Sequence, residues 1–437
     1  MTVRPPTPRR LLIVAYYYPP QNIIGARRPS ALAKWLRRRG HEITVLTSVQ
    51  SGHDPNAAPS RVVRSRDLLA TRLNWRGQSL DVVTGQSDAA WDPDPGIWGK
   101  LFVPDVQLLS WAPFAVATAL RLHRRIGFDA VVTSSPVESV HAVGLALSAR
   151  GVPWVADLRD GWCFEAPRGR PQLMLQRRLD DVFERIAVRR ADALVMVTEP
   201  LSADLRSRHD VQVETITNGF DPDDEELLAD TGAPVDAAKL TLVHTGGLGS
   251  RQTVRPLLDA LVRIAADDST LGDRVELVLA GQQTTEQRDL YARSEYVPFI
   301  RHLGFVDRST SLVLQRAADV LVLVTSGDRR GEATGKLFEY LAAGHPILAL
   351  AAGSAAADIV SKAGAGIVIP TRDTAAAESA LRRILAEGLP SPPASGRADF
   401  AYPALAERYE VVIERAIAQR VRGGETRSAE SDPATAT

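Results

Sequence analysis

Cysteine is almost absent from this chain: Cys163 is the one cysteine in 437 residues. No disulfide can form within the chain, and structural zinc sites that need two or more cysteines are excluded. The eight histidines are scattered, without HExxH or H-x-H spacing, so no metal motif is legible and none is expected. Net charge is missing too. Lys+Arg and Asp+Glu both number 52, whereas a protein that coats nucleic acid is normally basic, so nucleic acid is not an expected partner. No run of about 18 apolar residues occurs, the length that crosses a bilayer. The apolar run 11–15, after a basic and Pro-rich start, has strand length and is too short for a signal-peptide core. A cytoplasmic protein is the expectation.

What remains is globular composition, 45% hydrophobic and 24% charged, in a chain long enough for two domains. Leu11-Leu12-Ile13-Val14-Ala15 reads as a strand buried on both faces. A Pro/Gly-containing loop follows (16–25), then helical periodicity over 29–39, stopped by Gly40, and a second strand at 42–47. Strand, helix, glycine, strand is a βαβ unit and implies a parallel sheet. The pattern recurs with strands at 129–133, 154–156 and 193–197 and a long basic helix at about 173–190. Residues 50–100 read less clearly. After an acidic, polar stretch ending near Lys239, strands recur at 240–243, 275–280, 320–324, 346–350 and 366–369. The expectation is an α/β chain of two Rossmann-like, doubly wound domains facing across a cleft. The first spans 1–225, a linker 226–239 and the second 240–400. A C-terminal helix covers 401–420 and a disordered tail 421–437. In such sheets ligands sit at the carboxyl ends of the strands.

Four segments carry residues suited to chemistry. The loop after the first strand holds Tyr18, Asn22, Gly25, Arg27 and Arg28, with a helix N-terminus that favours an anion; its bland alternative is tyrosine packing. No GxGxxG is present, which argues against a dinucleotide oxidoreductase. Asp157-Leu158-Arg159-Asp160-Gly161-Trp162 places two carboxylates around a guanidinium after a strand; either carboxylate could accept a proton, or could merely pair with Arg159. Gly246-Gly247-Leu248-Gly249 permits close approach of phosphate, with Arg251 to neutralise it. Lys336 and Glu339 share a helix face near its start, where the amine could meet phosphate and the carboxylate a ribose. The strings Asp92-Pro93-Asp94 and Asp221-Pro222-Asp223 follow no strand directly and read as loops.

Taken together, in order, these residues resemble the retaining glycosyltransferases of family 4, with the GT-B fold, over about residues 10–420. The likeness is nearest to a bacterial subgroup that builds cell-surface polysaccharides. It rests on Tyr18-Pro19-Pro20 with Gly25, Gly40-His41-Glu42, Val103-Pro104-Asp105 with Trp111, Ser134-Ser135-Pro136, Asp157-Leu158-Arg159-Asp160, Asn218-Gly219-Phe220-Asp221 and Lys336-Leu337-Phe338-Glu339 through Gly344. The resemblance implies transfer of a hexosyl group, with retention, from a UDP- or GDP-sugar to a glycan, lipid-linked or small-molecule acceptor. No cofactor and no metal are implied. The donor would be held by Gly25, Gly247, Arg251, Glu332, Lys336, Leu337 and Glu339. Glu339 answers to the ribose-binding Glu of a Glu-x7-Glu motif; Gly331 stands where the first Glu falls, and Glu332 takes its place with a one-residue slip. Asp157, Arg159 and Asp160 would serve catalysis, although a His common near Arg159 is absent. Tyr18, Asn22, Arg27 and Trp162 would meet the acceptor.

A nucleotide-sugar epimerase or phosphorylase is the alternative in the same fold, and a non-catalytic binding protein the alternative in another class. The aromatic, basic loop 16–28 and the segment 98–115 (Trp98, Phe102, Trp111) suit a larger or lipid-linked acceptor. Arg168, Arg170, Arg177, Arg178, Arg185, Arg189 and Arg190, in or just before a helix with Leu173, Leu175, Leu179 and Phe183, suit peripheral contact with an anionic membrane face. An ordinary amphipathic surface helix is the competing reading.

Overall fold

The computed structural model of the chain describes residues 7–21, 23–51, 61–68, 102–166, 173–227, 232, 234–249 and 251–430. Asn22, Trp98, Arg168, Arg170 and the Asp92-Pro93-Asp94 string lie outside the described residues. The chain forms two compact units. Among the described residues, the first takes those of 7–68, 102–217 and 405–430, and the second those of 218–404.

Among the described residues, unit one is built on seven strands, β1 (Arg10–Ala15), β2 (Glu42–Ser48), β3 (Arg61–Ser65), β4 (Ala130–Ser134), β5 (Trp154–Leu158), β6 (Ala193–Met196) and β7 (Glu214–Thr215). All pair in parallel, in the order β3-β2-β1-β4-β5-β6-β7. Its longer helices are α1 (Ile24–Arg38), α2 (Ala112–Ile126), α3 (His141–Ser148), α4 (Met174–Arg190) and α5 (Glu199–His209). The apolar runs make buried strands: Leu11, Leu12, Ile13 and Val14 have no exposed surface, and each such side chain contributes about 1.5–3 kcal/mol on burial. One strand is longer than its apolar run. β5 continues past Ala156 through Asp157 and Leu158, because Asp157 pairs in register with Ser134 of β4.

Unit two carries β8 (Leu240–Thr245), β9 (Val275–Ala280), β10 (Ile300–Gly304), β11 (Val320–Val324), β12 (Ile347–Leu350) and β13 (Gly366–Ile369), all parallel, in the order β10-β9-β8-β11-β12-β13. The longer helices are α6 (Arg255–Asp267), α7 (Thr285–Tyr291), α8 (Arg308–Ala317), α9 (Gly335–Ala343), α10 (Ala355–Lys362) and α11 (Thr374–Glu387). Alternate residues along each strand fall into two separate cores. Leu242, Leu277, Val322 and Leu348 pack with α6 and α11, and Val243, Val278, Leu321, Leu323 and Ala349 with α9 and α10. Period-two alternation with both faces apolar is what helices on both sides of a parallel sheet demand. β10 escapes the apolar-run rule because Arg301, His302 and Leu303 are half-buried or exposed on an edge strand. Gly344 ends α9 in the left-handed region at φ +77, the C-terminal stop expected of it.

The boundary between units falls between Thr217 and Asn218, ahead of the acidic stretch. That stretch is tied into unit two: Phe220 N–H donates to Phe400 O at 3.0 Å, Tyr402 N–H donates to Phe220 O at 2.9 Å, and Arg308 pairs with Asp224. The C-terminal helix α12 runs from Tyr402 to Glu430, past the expected end at 420, since adding turns to a formed helix costs little. Within unit one it is held by Glu414 on Arg9 at 2.7 Å and by Glu410 on Arg39 at 2.6 Å.

Candidate active site

In each sheet the strand order reverses once, between β1 and β4 in unit one and between β8 and β11 in unit two. Such switch points are where doubly wound sheets bind ligands. The loop Gly246–Gly249 follows β8 and the segment 325–334 follows β11, so the candidate donor residues stand at the second switch point.

Gly246 has φ +86, and a Cβ there would lie 2.6 Å from Lys336 Cε. Only glycine combines that backbone with a lysine lying across it. Lys336, the second residue of α9, donates from Nζ to Gly247 O at 2.8 Å and meets His244 Nε2 at 3.3 Å. Burial lowers the Lys336 ammonium to about 8, against the pull of Glu339 and Glu332. Glu332 is pinned at both oxygens: Gln252 Nε2 donates to one at 3.0 Å, and Ser326 N–H and hydroxyl donate to the other at 2.9 and 2.5 Å. A carboxylate keeps lone pairs beyond three bonds. Glu339, one turn along α9, accepts from Gln315 Nε2 at 3.3 Å, and the same amide donates to Thr245 Oγ1 at 2.8 Å. Tyr340 Oη accepts from Thr245 N–H at 2.9 Å, closing the end of β8 onto α9. Arg251 stands at the rim in an exposed pair with Asp328, an arrangement of little energetic weight that a polyanion can displace. Leu337 is corrected: it has no exposed surface and fills the core between α9 and the sheet, so its side chain meets no ligand.

Unit one rearranges the expectations more. Asp157 lies inside β5 rather than after it and has no exposed surface. Arg28 grips both its oxygens, from Nη2 at 2.9 Å and Nε at 3.1 Å; Tyr409 Oη and Ser134 Oγ each donate at 2.7 Å. Burial would raise this carboxyl, but Arg28, then Tyr409 and Ser134, hold it below its ordinary value. A carboxylate so saturated cannot take a proton from an acceptor, so Asp157 is corrected from a catalytic candidate to the anchor of α12. Arg28 is spent in the same place, and its neighbour Arg27 is half-buried.

Arg159 is corrected too. Pro29 sits inside α1 and has no N–H to give the carbonyl four residues back, that of Gly25. Arg159 Nη1 donates there at 2.6 Å, and Nη2 to Ile24 O at 3.3 Å. Gly25 is itself in the first turn of α1, packed so that a Cβ would touch the Tyr17 ring at 2.9 Å. Trp162 is core, 4% exposed, with Nε1 donating to Asp180 at 2.8 Å and its ring stacked on His141. Tyr18 is buried. Its neighbour Tyr16 donates to Asp67 at 2.6 Å and meets Trp111 edge-on. Of the catalytic candidates Asp160, half-buried just past β5, keeps a place at the strand end.

Three residues of these networks have no sequence signal. Tyr409 reaches Asp157 across 252 positions. His244 is one of a run of strand residues, and Ser326 caps Glu332 from a loop.

Residues 25–219 match the family model described as "Glycosyl transferase 4-like domain", and residues 239–387 match "Glycosyl transferases group 1". No curated protein matches the chain. Among solved structures it is similar to sucrose-phosphate synthase from Thermosynechococcus elongatus, at 18% identity over 97% of this chain and 100% of that one, TM-score 0.55. It is similar to the catalytic domain of starch synthase IV from Arabidopsis thaliana, bound to ADP and acarbose, at 12% identity over 94% and 100%, TM-score 0.59. It is also similar to WaaG, a glycosyltransferase involved in lipopolysaccharide biosynthesis, at 18% identity over 93% and 98%, TM-score 0.51. These structures share the two-domain GT-B fold.

Proposed function

We propose, from the premise that the chain is a glycosyltransferase of the GT-B fold, that unit two holds a UDP- or GDP-sugar and that a hexosyl group passes with retention to a glycan, lipid-linked or small-molecule acceptor. The observation that carries this reading is the convergence of Lys336, the Gly246-Gly247 turn, Glu332 and Glu339 at the switch between β8 and β11. Lys336 and Arg251 are the cations for the diphosphate, Glu339 the acceptor for ribose hydroxyls, and Glu332 the contact to the sugar. In the transfer, the bond from the anomeric carbon to the diphosphate oxygen breaks while the acceptor oxygen bonds to that carbon on the same face. The acceptor proton goes to the departing phosphate, so the main task of the protein is to stabilise charge on the leaving diphosphate. No metal or cofactor is part of this reading.

Membrane attachment belongs to the same proposal, and the outward face of α4 supports it. Asp180, Glu184, Ala187 and Val188 turn inward. Leu175, Leu179, Val182 and Ile186 are exposed at 69%, 44%, 46% and 40%, with Arg178, Arg185 and Arg189 exposed beside them. An apolar stripe flanked by guanidinium groups matches an anionic lipid surface, with the chain on the cytoplasmic face. No helix among the described residues is long and apolar enough to cross a membrane.

The test is binding and turnover with a panel of UDP- and GDP-sugars, using the wild-type chain and Glu339→Gln. Donor affinity is expected to fall at least about tenfold in the variant. Unchanged affinity refutes the ribose role, and no nucleotide binding by the wild type at high protein concentration refutes the enzyme reading altogether.

A further inference from the structure

Lys336 is fixed by two acceptors, and one of them is an imidazole with a defined tautomer. His244, near the end of β8, is 1% exposed. Its Nδ1 lies 2.8 Å from Val322 O. A carbonyl only accepts, so Nδ1 carries the proton and Nε2 presents a lone pair. That lone pair faces Lys336 Nζ at 3.3 Å. Burial, then the nearby Lys336 charge, push His244 down to about 3, so the ring is neutral across the physiological range. The titratable groups around the ammonium are His244 from β8, Glu332 from the segment before α9 and Glu339 from α9 itself.

An ammonium has three N–H donors. One goes to Gly247 O and one to His244 Nε2, which leaves one. We propose that His244 is a positioning residue for donor binding: its neutral imidazole holds the Lys336 ammonium so that the remaining N–H meets a phosphate oxygen of the nucleoside diphosphate. This rests on the donor-site reading above. A long lysine side chain otherwise carries large rotamer freedom that must be lost when the ligand arrives; His244 removes it beforehand, which is preorganisation of the kind that raises affinity without a new ligand contact.

The experiment titrates the wild type, H244L, H244N, H244Q and K336A with UDP and with GDP by calorimetry, from neutral to alkaline pH. In H244L the ammonium loses an acceptor that favours its charged form, so it deprotonates more easily. Nucleotide affinity is expected to drop about tenfold, and its alkaline fall to move to lower pH. H244N, too short to span both partners, gives the same loss where the leucine variant does not fold. H244Q, whose amide donates to Val322 O and accepts from Lys336, restores affinity and the wild-type alkaline limb. Wild-type affinity with an unmoved limb in H244L or H244N overturns the proposal, as does a loss that H244Q does not rescue. Nucleotide bound by the wild type and equally well by K336A overturns the donor-site reading itself, a result distinct from failure of the histidine variants alone.

Discussion

The guanidinium of Arg159 donates to the carbonyl of Gly25 at 2.6 Å, and that carbonyl is the one Pro29 leaves without its helical donor. An arginine that looks catalytic between two aspartates is thus a repair of helix α1, made from 134 positions away in the chain. Its removal has a predictable signature. Arg159→Met should lower the stability of unit one by about 1.5–3 kcal/mol, the worth of hydrogen bonds from a charged donor. In a Pro29→Ala background the new N–H serves Gly25, and the cost of losing Arg159 should shrink. Urea unfolding of the four chains of this cycle measures the coupling; strictly additive costs would contradict it.

The Arg28–Asp157 pair gives a second prediction. Asp157→Ala leaves a buried guanidinium without its counter-charge and should cost about 3–5 kcal/mol. The wild-type pair also makes stability pH-dependent in a fixed direction. The Asp157 carboxyl sits below its ordinary value in the folded chain, so its contribution is complete above the unfolded pKa of about 3.9 and is lost as pH falls below that value. Chemical unfolding at a series of acidic pH values should show the slope in the wild type and a reduced slope in Asp157→Asn.

Gly246→Ala addresses the donor side without replacing a charged residue. The residue would be strained at φ +86, and its Cβ would displace Lys336 from Cε outward. A stability loss of about 1–2 kcal/mol from the left-handed backbone should accompany nucleotide binding weakened about tenfold. Binding as tight as in the wild type would show that the lysine tip does not need its present seat.

Asp160→Asn separates chemistry from scaffold in unit one. With Asp157 and Arg159 assigned to structure, Asp160 is the carboxylate left at the end of β5. Turnover should fall at least about tenfold with the unfolding midpoint unchanged; full activity would return Asp160 to the structural class as well.

The outward face of α4 is tested with anionic vesicles. Serine at Leu179, Val182 and Ile186 together should abolish co-sedimentation, and glutamate at Arg178 and Arg185 should do so more strongly at low salt than at high salt. Wild-type chain that stays in the supernatant even at low salt would refute membrane attachment. The folded state of both variants is checked by the unfolding midpoint.

Much of this was legible in the residues. The continuous apolar runs became buried strands because parallel sheets covered on both faces need nothing else from a strand, and Gly344 ended its helix where only a positive φ serves. Lys336 and Glu339 share a face because helical spacing is local. What the sequence could not reveal is which polar groups meet across the fold. Asp157 and Asp160 stand three apart and look alike in the chain. One is sealed in a strand by Arg28, Tyr409 and Ser134, and the other lies just beyond the strand end. The fold class and the loops that follow the strands were determined by the sequence alone, through short-range periodicity. Which carboxylate is sealed in the sheet, which arginine mends a proline gap and which histidine meets the lysine were decided only by tertiary structure, because each depends on a partner tens to hundreds of residues away whose approach no local pattern encodes.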